Sequence, residues 1–282
     1  MTQEAVTEIS NMDFRLLRDY IHEKSGIFFN DSKKKLLQNR IFPRLLALNI
    51  KSFEDYYFFL KFNPKGETEF KSMLSLITNN ETYFFRENHQ LDLLTDTVIP
   101  KMLEERKYSK PLKILSAGCS SGEEPYSISM AILEKLPNLA AKRQIEVYGI
   151  DIDEKVLNKA KNEVYTRNSF RAIDPLFLHR YFIPLEEGKQ IKEIAAKSVN
   201  FSWGNLVDLS SYYELGKMDI IFCRNVLIYF SDEMIEKVAS NFFQLLNNDG
   251  YLFLGHSESL LRITDIFDTA RFTESIIYKK RL

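Results

Sequence analysis

From residue 113 onward the chain alternates short apolar segments with amphipathic helical segments, and this alternation constrains the fold more than any other feature. The apolar segments are KILSAG, QIEVYGID, MDIIFCRN, GYLFLGHSE and SIIYKKR. Helical periodicity lies between them in EEPYSISMAILEKL, EKVLNKAKNEV and SDEMIEKVASNFFQLL. Apolar strands separated by helices are typical of a parallel sheet covered on both faces. The pattern predicts an α/β, doubly wound, Rossmann-like domain.

The segment before this domain has helical signals only. NMDFRLLRDYIHEKSG places Phe14, Leu17 and Ile21 on one face, and further short amphipathic segments follow. Within the α/β region, a Glu-Glu-Gly turn with loosely alternating neighbours indicates a small β-hairpin insertion. We expect a small all-α N-terminal domain over residues 1–88, a connecting helix or linker over 89–110, and the α/β domain over 111–282 with its insertion at about 180–203.

Residues 114–129, ILSAGCSSGEEPYSIS, predict a strand, a glycine turn and the start of a helix. Such a turn directs backbone N–H groups at a ligand, which usually suits a phosphate. Here Glu123 and Glu124 would repel a phosphate, and the spacing of Gly118 and Gly122 matches neither the dinucleotide fingerprint nor the P-loop. The turn therefore predicts a nucleotide ligand that has no phosphates and preferably carries positive charge.

Polar residues follow the predicted strands, at the sheet edge that holds the ligand in open α/β folds. These residues are Gly118 to Glu123, Asp151, Asp153, Arg224, Asn225, His256, Ser257 and Glu258. Asp151 ends the second strand and is the better candidate for accepting both hydroxyls of a ribose. Asp153 suits the cap of the following helix.

Composition excludes several classes of protein. The chain is 45% hydrophobic and 27% charged, with 10 Gly and 8 Pro, which excludes a disordered or collagen-like protein. Its 38 basic and 39 acidic side chains leave a net charge of -1, which says nothing about the partner. Cys119 and Cys223 are far apart and indicate reduced thiols in place of a disulfide scaffold. The absence of a signal-peptide pattern and of an apolar run of roughly 20 residues predicts a cytoplasmic protein without membrane insertion.

Four motifs, NNETYFFRE, SAGCSSGEEPYSISM, FCRNVLIYF and LFLGHSESL, occur in this order along the chain. Together they closely resemble the CheR family, the chemoreceptor glutamate methyltransferases of bacterial chemotaxis, from about Phe14 to the C-terminus. The resemblance implies an S-adenosylmethionine-dependent protein-glutamate O-methyltransferase that forms glutamyl methyl esters and S-adenosylhomocysteine, with no metal. This cofactor has an ammonium and a sulfonium but no phosphate, which fits an acidic glycine turn.

The resemblance also implies roles for individual residues in the cofactor site. Asn80, Thr82 and Arg86 of the first motif belong to that site. Further along the chain, Gly118 forms the turn, Glu123 holds the methionine amino group, and Asp151 binds the ribose. The adenine and the closure of the pocket are assigned to Asn205, Leu206, Arg224 and Asn225.

The implied chemistry needs no general base, because a glutamate with a pKa of about 4.3 is already ionised at neutral pH. Catalysis would come from aligning that carboxylate behind the methyl group and removing its water. The useful protein groups are donors or cations that fix the carboxylate and an aromatic wall beside the sulfonium. Tyr229 is the first candidate for the wall or donor, and Arg224 and Arg86 are candidates for the electrostatic role.

Residues 32–51 contain six basic residues and no acidic ones. Four of the basic residues fall on one helical stripe, which is either an ordinary solvated face or a surface that attracts a glutamate-rich helix. The resemblance favours the second interpretation and makes this stripe the receptor-binding surface. Pro43 predicts a kink or the start of a second helix within the segment. The stripe consists of Lys33, Arg40, Arg44 and Lys51.

Other interpretations remain open. An S-adenosylmethionine-dependent RNA or small-molecule methyltransferase would share the α/β core, although one Trp and near-zero net charge make RNA binding a weak prediction. A catalytically silent cofactor-sensing module would keep Glu123 and Asp151. The short insertion IPLEEGKQIKE favours an enzyme that binds no receptor tether peptide by β-augmentation. We expect a monomer whose partners are the cytoplasmic helices of methyl-accepting chemotaxis receptors, with no nucleic acid.

Overall fold

The computed structural model describes residues 8–105, 110–142, 144–272 and 275–281 of the chain. Contacts divide these residues into two compact units. The described residues up to Asn79 form the first unit together with Tyr229–Ser231, and the other described residues form the second. No helix in these ranges is long and apolar enough to cross a lipid bilayer.

The first unit is helical. Its described helices are α1 (Asn11–Ser25), α2 (Lys34–Ala47), α3 (Phe53–Phe62) and α4 (Gly66–Ile77). Two of them begin at serine caps, where Ser10 Oγ and Ser52 Oγ each accept a 3.0 Å hydrogen bond from the N–H three residues later. The apolar faces form a core that includes Leu17, Ile21, Leu37, Ile41, Leu45, Tyr56 and Met73. An all-α unit therefore precedes the rest of the chain, as the sequence predicts.

The helix α2 runs without interruption through Pro43, so a second helix does not begin there. A proline removes one backbone donor and costs about 3 kcal/mol inside a helix. Leu37, Ile41 and Leu45 of α2 are fully buried at 0% exposure, and burying each side chain contributes about 2 kcal/mol. Packing of this apolar face therefore outweighs the cost of the proline.

Two arginines of the predicted basic stripe form bonds within the helical unit. Arg44 donates from Nε and Nη2 to the two carboxylate oxygens of Glu69, at 2.8 and 2.6 Å. The Tyr56 hydroxyl also donates to Glu69, at 2.7 Å, and the Glu69 side chain is only 5% exposed. Arg40 donates to the carbonyl oxygen of Ile77, the last residue of α4, at 2.6 Å. Both guanidinium groups therefore stabilise the fold of this unit.

The second unit is built on a seven-stranded sheet and a separate three-stranded sheet. Its strands are β1 (Leu112–Ala117), β2 (Ile145–Asp151), β3 (Val164–Tyr165), β4 (Phe182–Pro184), β5 (Lys189–Ile191), β6 (Val199–Trp203), β7 (Met218–Cys223), β8 (Leu246–Leu254), β9 (Phe267–Phe272) and β10 (Ser275–Lys280). Its helices are α5 (Asn88–Leu93), α6 (Ile99–Glu105), α7 (Glu123–Lys135), α8 (Pro137–Ala141), α9 (Glu154–Asn162), α10 (Pro175–Tyr181), α11 (Glu193–Ala196) and α12 (Asp232–Leu245).

The main sheet has the strand order β6-β2-β1-β7-β8-β10-β9. The first five of these strands are parallel, and β10 runs antiparallel to its neighbours β8 and β9. All residues of β7 are buried, which suits its largely apolar sequence. The chain adds β2 and β6 on one side of β1 and β7 on the other, so the switch point lies between β1 and β7. The predicted doubly wound α/β fold is confirmed.

A small β-hairpin interrupts the α/β alternation, as predicted. In it β4 pairs antiparallel with β5, and the N–H of Leu185 donates to the carbonyl oxygen of Gly188 at 3.1 Å in the turn. Val199–Trp203, which the sequence interpretation placed inside the insertion, form β6 and pair with β2 in the main sheet. None of the residues of β6 is fully buried. Its sequence lacks the apolar run that identifies the inner strands, which is why the sequence did not indicate a strand of the main sheet there.

Replacement of Glu69 by Gln is expected to lower the free energy of unfolding by about 2 kcal/mol, because Arg44 and Tyr56 lose a buried ionised acceptor and Arg44 can only partly rehydrate. Urea unfolding followed by far-UV circular dichroism measures this loss. The matched variant is Glu67→Gln, whose carboxylate is 64% exposed and lies 3.4 Å from Lys24 Nζ. It is expected to change stability by about 0.3 kcal/mol, and equal losses in the two variants would contradict the assignment.

Candidate active site

The glycine turn after β1 lies against the loop that follows β7. Gly118 has a φ of +78°, and its N–H donates to the carbonyl oxygen of Ile150 at 2.8 Å. A Cβ atom at this position would lie 2.5 Å from Cγ2 of Val226. Because side chains do not tolerate such an approach, glycine is required for the turn and the loop to pack together. The turn therefore adjoins the segment that contains Arg224 and Asn225.

Asp151 lies at the end of β2, where the sequence predicts it, and its carboxylate is anchored by backbone donors. The N–H groups of Ser120 and Asp153 donate to its two oxygens at 2.8 and 2.9 Å. Burial raises the pKa of this carboxyl to about 6, and the backbone donors act in the opposite direction. A carboxylate has about four acceptor sites, more than the backbone donors occupy, so it can also accept a hydrogen bond from a ligand.

Asn80 connects the glycine turn with the residues after β2. Its Nδ2 donates to Oδ2 of Asp153 at 2.9 Å, and its carbonyl oxygen accepts from the Ser120 hydroxyl at 3.1 Å. Asp153 also accepts from the N–H of Lys155 at 2.9 Å, which confirms its predicted role as the cap of α9. The structure thus brings Asn80 and Asp151 together through Ser120.

The two carboxylates after the turn differ in their surroundings. Glu123 is 1% exposed, and its oxygens accept from the hydroxyls of Ser121 at 2.7 Å and Ser169 at 2.8 Å. The Glu124 side chain is 14% exposed and accepts from the Ser116 hydroxyl at 2.6 Å and from Arg224 Nε at 2.6 Å. The charge of Glu124 is therefore paired with a cation, whereas the contacts of Glu123 are with hydroxyl groups. No signal in the sequence separates the two glutamates, because they are adjacent and chemically identical.

Arg224 is bonded on several sides. Besides Glu124, its guanidinium donates to the carbonyl oxygen of Arg86 at 2.7 Å and to Gln90 Oε1 at 3.5 Å. Its side chain is 3% exposed, and Nη1 lies 3.9 Å from a carboxylate oxygen of Glu87. These contacts favour a role for Arg224 in positioning its neighbours over direct contact with a substrate, and its predicted catalytic role stays a prediction.

The first motif supplies two further predicted residues. Arg86 donates from Nη1 to the carbonyl oxygen of Glu81 at 3.1 Å, and its guanidinium lies 5.6 Å from the ring centroid of Tyr83. Both Arg86 and Thr82 are half-buried. Arg86 is therefore more accessible than Arg224, and it is joined to that residue through its backbone carbonyl.

The residues predicted to bind adenine follow β6, next to the end of β2. The N–H of Gly204 donates to the carbonyl oxygen of Asp151 at 3.1 Å. The N–H of Asn205 donates to Ser211 Oγ at 2.9 Å, and the carbonyl oxygen of Leu206 accepts from Asn241 Nδ2 at 2.9 Å. Asn205 and Leu206 therefore directly follow a residue that is bonded to Asp151, the predicted ribose-binding residue.

Tyr229 belongs to the helical unit, although it follows Ile228 of the α/β unit in the chain. Its hydroxyl accepts from Asn79 Nδ2 at 2.9 Å, and its carbonyl oxygen accepts from the N–H of Phe28 at 2.8 Å. The role of Tyr229 beside the methyl group stays a prediction.

The predicted basic stripe of the helical unit does not lie on one helix. Since α2 spans Lys34–Ala47, Lys33 precedes this helix and Lys51 follows it, and the predicted helical stripe is wrong for these two residues. Lys51 is exposed and Lys33 half-buried.

The chemistry of these residues fits S-adenosylmethionine. Carboxylates at the turn and at the end of β2 suit an ammonium group and ribose hydroxyls, while the buried guanidinium of Arg224 is already paired with Glu124 and is not available to a phosphate. Backbone groups near Asn205 offer polar contacts for a base. Within the described residues, no group of three or more His, Cys, Asp and Glu side chains is arranged to hold a metal ion. The fold and these residues define an S-adenosylmethionine-dependent methyltransferase.

Comparisons with known proteins agree with this class. Residues 80–276 match the CheR methyltransferase SAM-binding domain, and residues 12–78 match the CheR methyltransferase all-alpha domain. The chain therefore belongs to the CheR methyltransferase family, as the motifs predict.

Relatives of this family match almost the whole chain. Chemotaxis protein methyltransferase 2 of Vibrio cholerae serotype O1 is 39% identical over 96% of this chain and 94% of its own length. The chemotaxis protein methyltransferase of Vibrio parahaemolyticus serotype O3:K6 is 36% identical over 96% of this chain and 98% of its own.

A solved structure, magnesium protoporphyrin IX methyltransferase from Synechocystis PCC 6803 with bound SAM, aligns over 99% of this chain and 98% of its own, with 16% identity and a TM-score of 0.35.

The affinity for S-adenosylhomocysteine is expected to fall as the pH is lowered through the pKa of Asp151, which is about 6, because the protonated carboxyl loses acceptors for the ribose hydroxyls. At pH 5 about one carboxyl in ten stays ionised, so Kd should rise about tenfold relative to pH 7.5. Titration calorimetry at both pH values measures the change. Asp151→Asn should bind more weakly at pH 7.5 and show no such dependence, and an equally steep dependence in this variant would contradict the assignment.

Proposed function

We propose that this protein methylates glutamate side chains on the cytoplasmic helices of methyl-accepting chemotaxis receptors, forming glutamyl methyl esters and S-adenosylhomocysteine. The observation that carries the proposal is the match of nearly the whole chain to relatives named chemotaxis protein methyltransferases. Such a substrate implies a cytoplasmic site of action. A monomeric enzyme without nucleic-acid partners would suffice.

The proposed cofactor site uses the predicted residues. Asp151 accepts the ribose hydroxyls, and Glu123 faces the ammonium group. The contacts support this assignment, because Glu123 bonds to the hydroxyls of Ser121 and Ser169, whereas the charge of Glu124 is already paired with Arg224. The other proposed cofactor residues are Asn80, Thr82, Arg86, Gly118, Asn205, Leu206, Arg224 and Asn225.

The reaction makes modest demands on the protein. The bound cofactor supplies a methyl group on a positively charged sulfur, which becomes neutral when the group leaves. A receptor glutamate is ionised at neutral pH, so the chain needs no base to remove a proton. Its own residues must align the carboxylate and exclude water.

Arg86 is the better candidate for holding the substrate carboxylate. It is half-buried and lies near the face of Tyr83, whereas the guanidinium of Arg224 is already bonded to Glu124 and two further acceptors. Arg224 holds the carbonyl oxygen of Arg86 and so acts on the substrate through that residue. Tyr229 would provide the wall or donor near the methyl group.

The receptor-binding stripe is smaller than the sequence suggests. Since Arg44 binds Glu69 and Arg40 binds the end of α4, Lys33 and Lys51 are the members of the stripe left to attract a glutamate-rich helix. Long-range attraction between Lys and Glu side chains raises the rate of encounter more than the final affinity.

Incubation with methyl-labelled S-adenosylmethionine and receptor cytoplasmic fragments is expected to give label that mild alkali releases as volatile methanol. Arg86→Ala should lower this transfer about a hundredfold and Tyr229→Phe about tenfold, because donors that act on the reacting groups are lost. Arg262→Ala and Tyr213→Phe, at exposed positions, are the matched controls and should leave the rate unchanged.

Each other outcome of this assay contradicts the proposal in a distinct way. Alkali-stable label would indicate amino methylation of protein or nucleic acid. Tight binding of S-adenosylhomocysteine without transfer to any receptor fragment would indicate a silent cofactor-sensing module.

Replacement of Lys33 and Lys51 together by Ala is expected to raise KM for receptor fragments about fivefold at low salt, with little change at high salt where screening removes the attraction. Steady-state kinetics at two salt concentrations measure this difference. Lys161→Ala, an exposed lysine of α9, is the control. A double variant that behaves like this control would show that the stripe is an ordinary solvated face.

A further inference from the structure

The carboxylate of Glu258 is held by four backbone N–H groups. Its Oε2 accepts from the N–H of Asn225 and of Gly255, each at 2.7 Å. Its Oε1 accepts from the N–H of Val226 at 2.8 Å and of Leu227 at 2.7 Å. Charge-assisted bonds of this length are stronger than bonds between neutral groups. A single side chain thus joins the end of β8 to the loop after β7.

Three of the donors come from successive residues, 225 to 227. Asn225 has a φ of +59°, in the left-handed region, and this backbone conformation turns the successive N–H groups towards one point. Such a concave arrangement of N–H groups is an anion-binding nest. Here the anion is part of the same chain, so Glu258 keeps the strained conformation of Asn225 in place.

The loop held by Glu258 is the one that covers the glycine turn. Val226, whose N–H binds Glu258, places its side chain in contact distance of Gly118. Arg224, the residue before the loop, binds Glu124 at the start of α7. The position of Glu258 therefore affects both the turn and the segment to which the cofactor site has been assigned.

Gly255 is adapted to the same contact. A Cβ atom there would lie 2.6 Å from Oε2 of Glu258 and 2.9 Å from the backbone nitrogen of Asn225. A side chain at this position would therefore push the carboxylate out of the nest. The absence of a side chain at Gly255 therefore allows Glu258 to bind the nest, although neither residue has a role in the proposed chemistry.

We propose that Glu258 is a positioning residue for S-adenosylmethionine binding: by occupying the nest of residues 225–227 it fixes the loop after β7 against the glycine turn in the conformation that accepts the cofactor. The inference rests on the proposed assignment of Arg224 and Asn225 to the cofactor site. It does not depend on which substrate receives the methyl group.

Removal of the carboxylate in Glu258→Ala is expected to weaken S-adenosylhomocysteine binding about tenfold, since one set of charge-assisted bonds that orders the loop is lost. Titration calorimetry well below Tm measures Kd. Sodium formate should restore the affinity to within about threefold of the wild type by filling the vacated nest, and sodium chloride at equal ionic strength should not. Asp265→Ala, an exposed carboxylate of the same region, is the control and should bind like the wild type.

Two further variants keep the test decisive if Glu258→Ala does not fold. Glu258→Gln has the same shape but presents an amide NH₂ group to N–H donors, and it should bind S-adenosylhomocysteine more weakly without rescue by formate. Gly255→Ala should weaken binding to a similar extent, and combining it with Glu258→Ala should add little further loss because both changes empty the same nest.

The proposal is overturned if these variants bind S-adenosylhomocysteine as tightly as Asp265→Ala, or if they lose only thermal stability while Kd stays unchanged below Tm. A different result would contradict the proposed substrate. In that case Glu258→Ala would lose affinity for S-adenosylhomocysteine and regain it with formate, but the wild type would fail to methylate receptor fragments. The two proposals can therefore fail separately.

Discussion

A buried ion pair between Arg224 and Glu124 is the interaction on which the candidate site depends. The two side chains are 3% and 14% exposed, so removing both charges from water costs several kcal/mol. The cost is offset by additional bonds to Ser116, to Gln90 and to the carbonyl oxygen of Arg86. Segments that are remote in the sequence, the first motif, β1, α7 and the end of β7, are thereby fixed at the same edge of the sheet.

The acidic character of the glycine turn follows from the charge of its ligand. A turn that binds phosphate needs a cation or free N–H groups, whereas here the Arg224 guanidinium is already paired with Glu124 and the N–H of Ser120 already donates to Asp151. What remains at the strand ends is carboxylate and amide oxygen, which suits a ligand with an ammonium group, hydroxyls and a sulfonium. Burial raises the pKa of Asp151 to about 6 while backbone donors oppose this shift, so the carboxylate is ionised at neutral pH and can accept hydroxyl groups.

The sequence predicted the parts of the fold that have a strong periodic signal and missed those that do not. The inner strands, such as β1 and β7, are apolar and buried, whereas β6 and β9 are edge strands with exposed residues and were not predicted. In the helical unit, spacing placed Arg44 correctly on one face of α2. It could not show that Glu69, 25 residues away, would bind that arginine and remove it from the surface. The nest around Glu258 was equally hidden, because its donors are backbone groups and backbone conformation leaves little trace in residue type.

The most direct test of this account is a crystal structure of the protein with S-adenosylhomocysteine. The account predicts that the ribose hydroxyls bind the Asp151 carboxylate, that the amino group faces Glu123, and that Arg224 keeps its bond to Glu124. A ligand bound away from Asp151, or an Arg224 guanidinium turned from Glu124 onto the ligand, would contradict it.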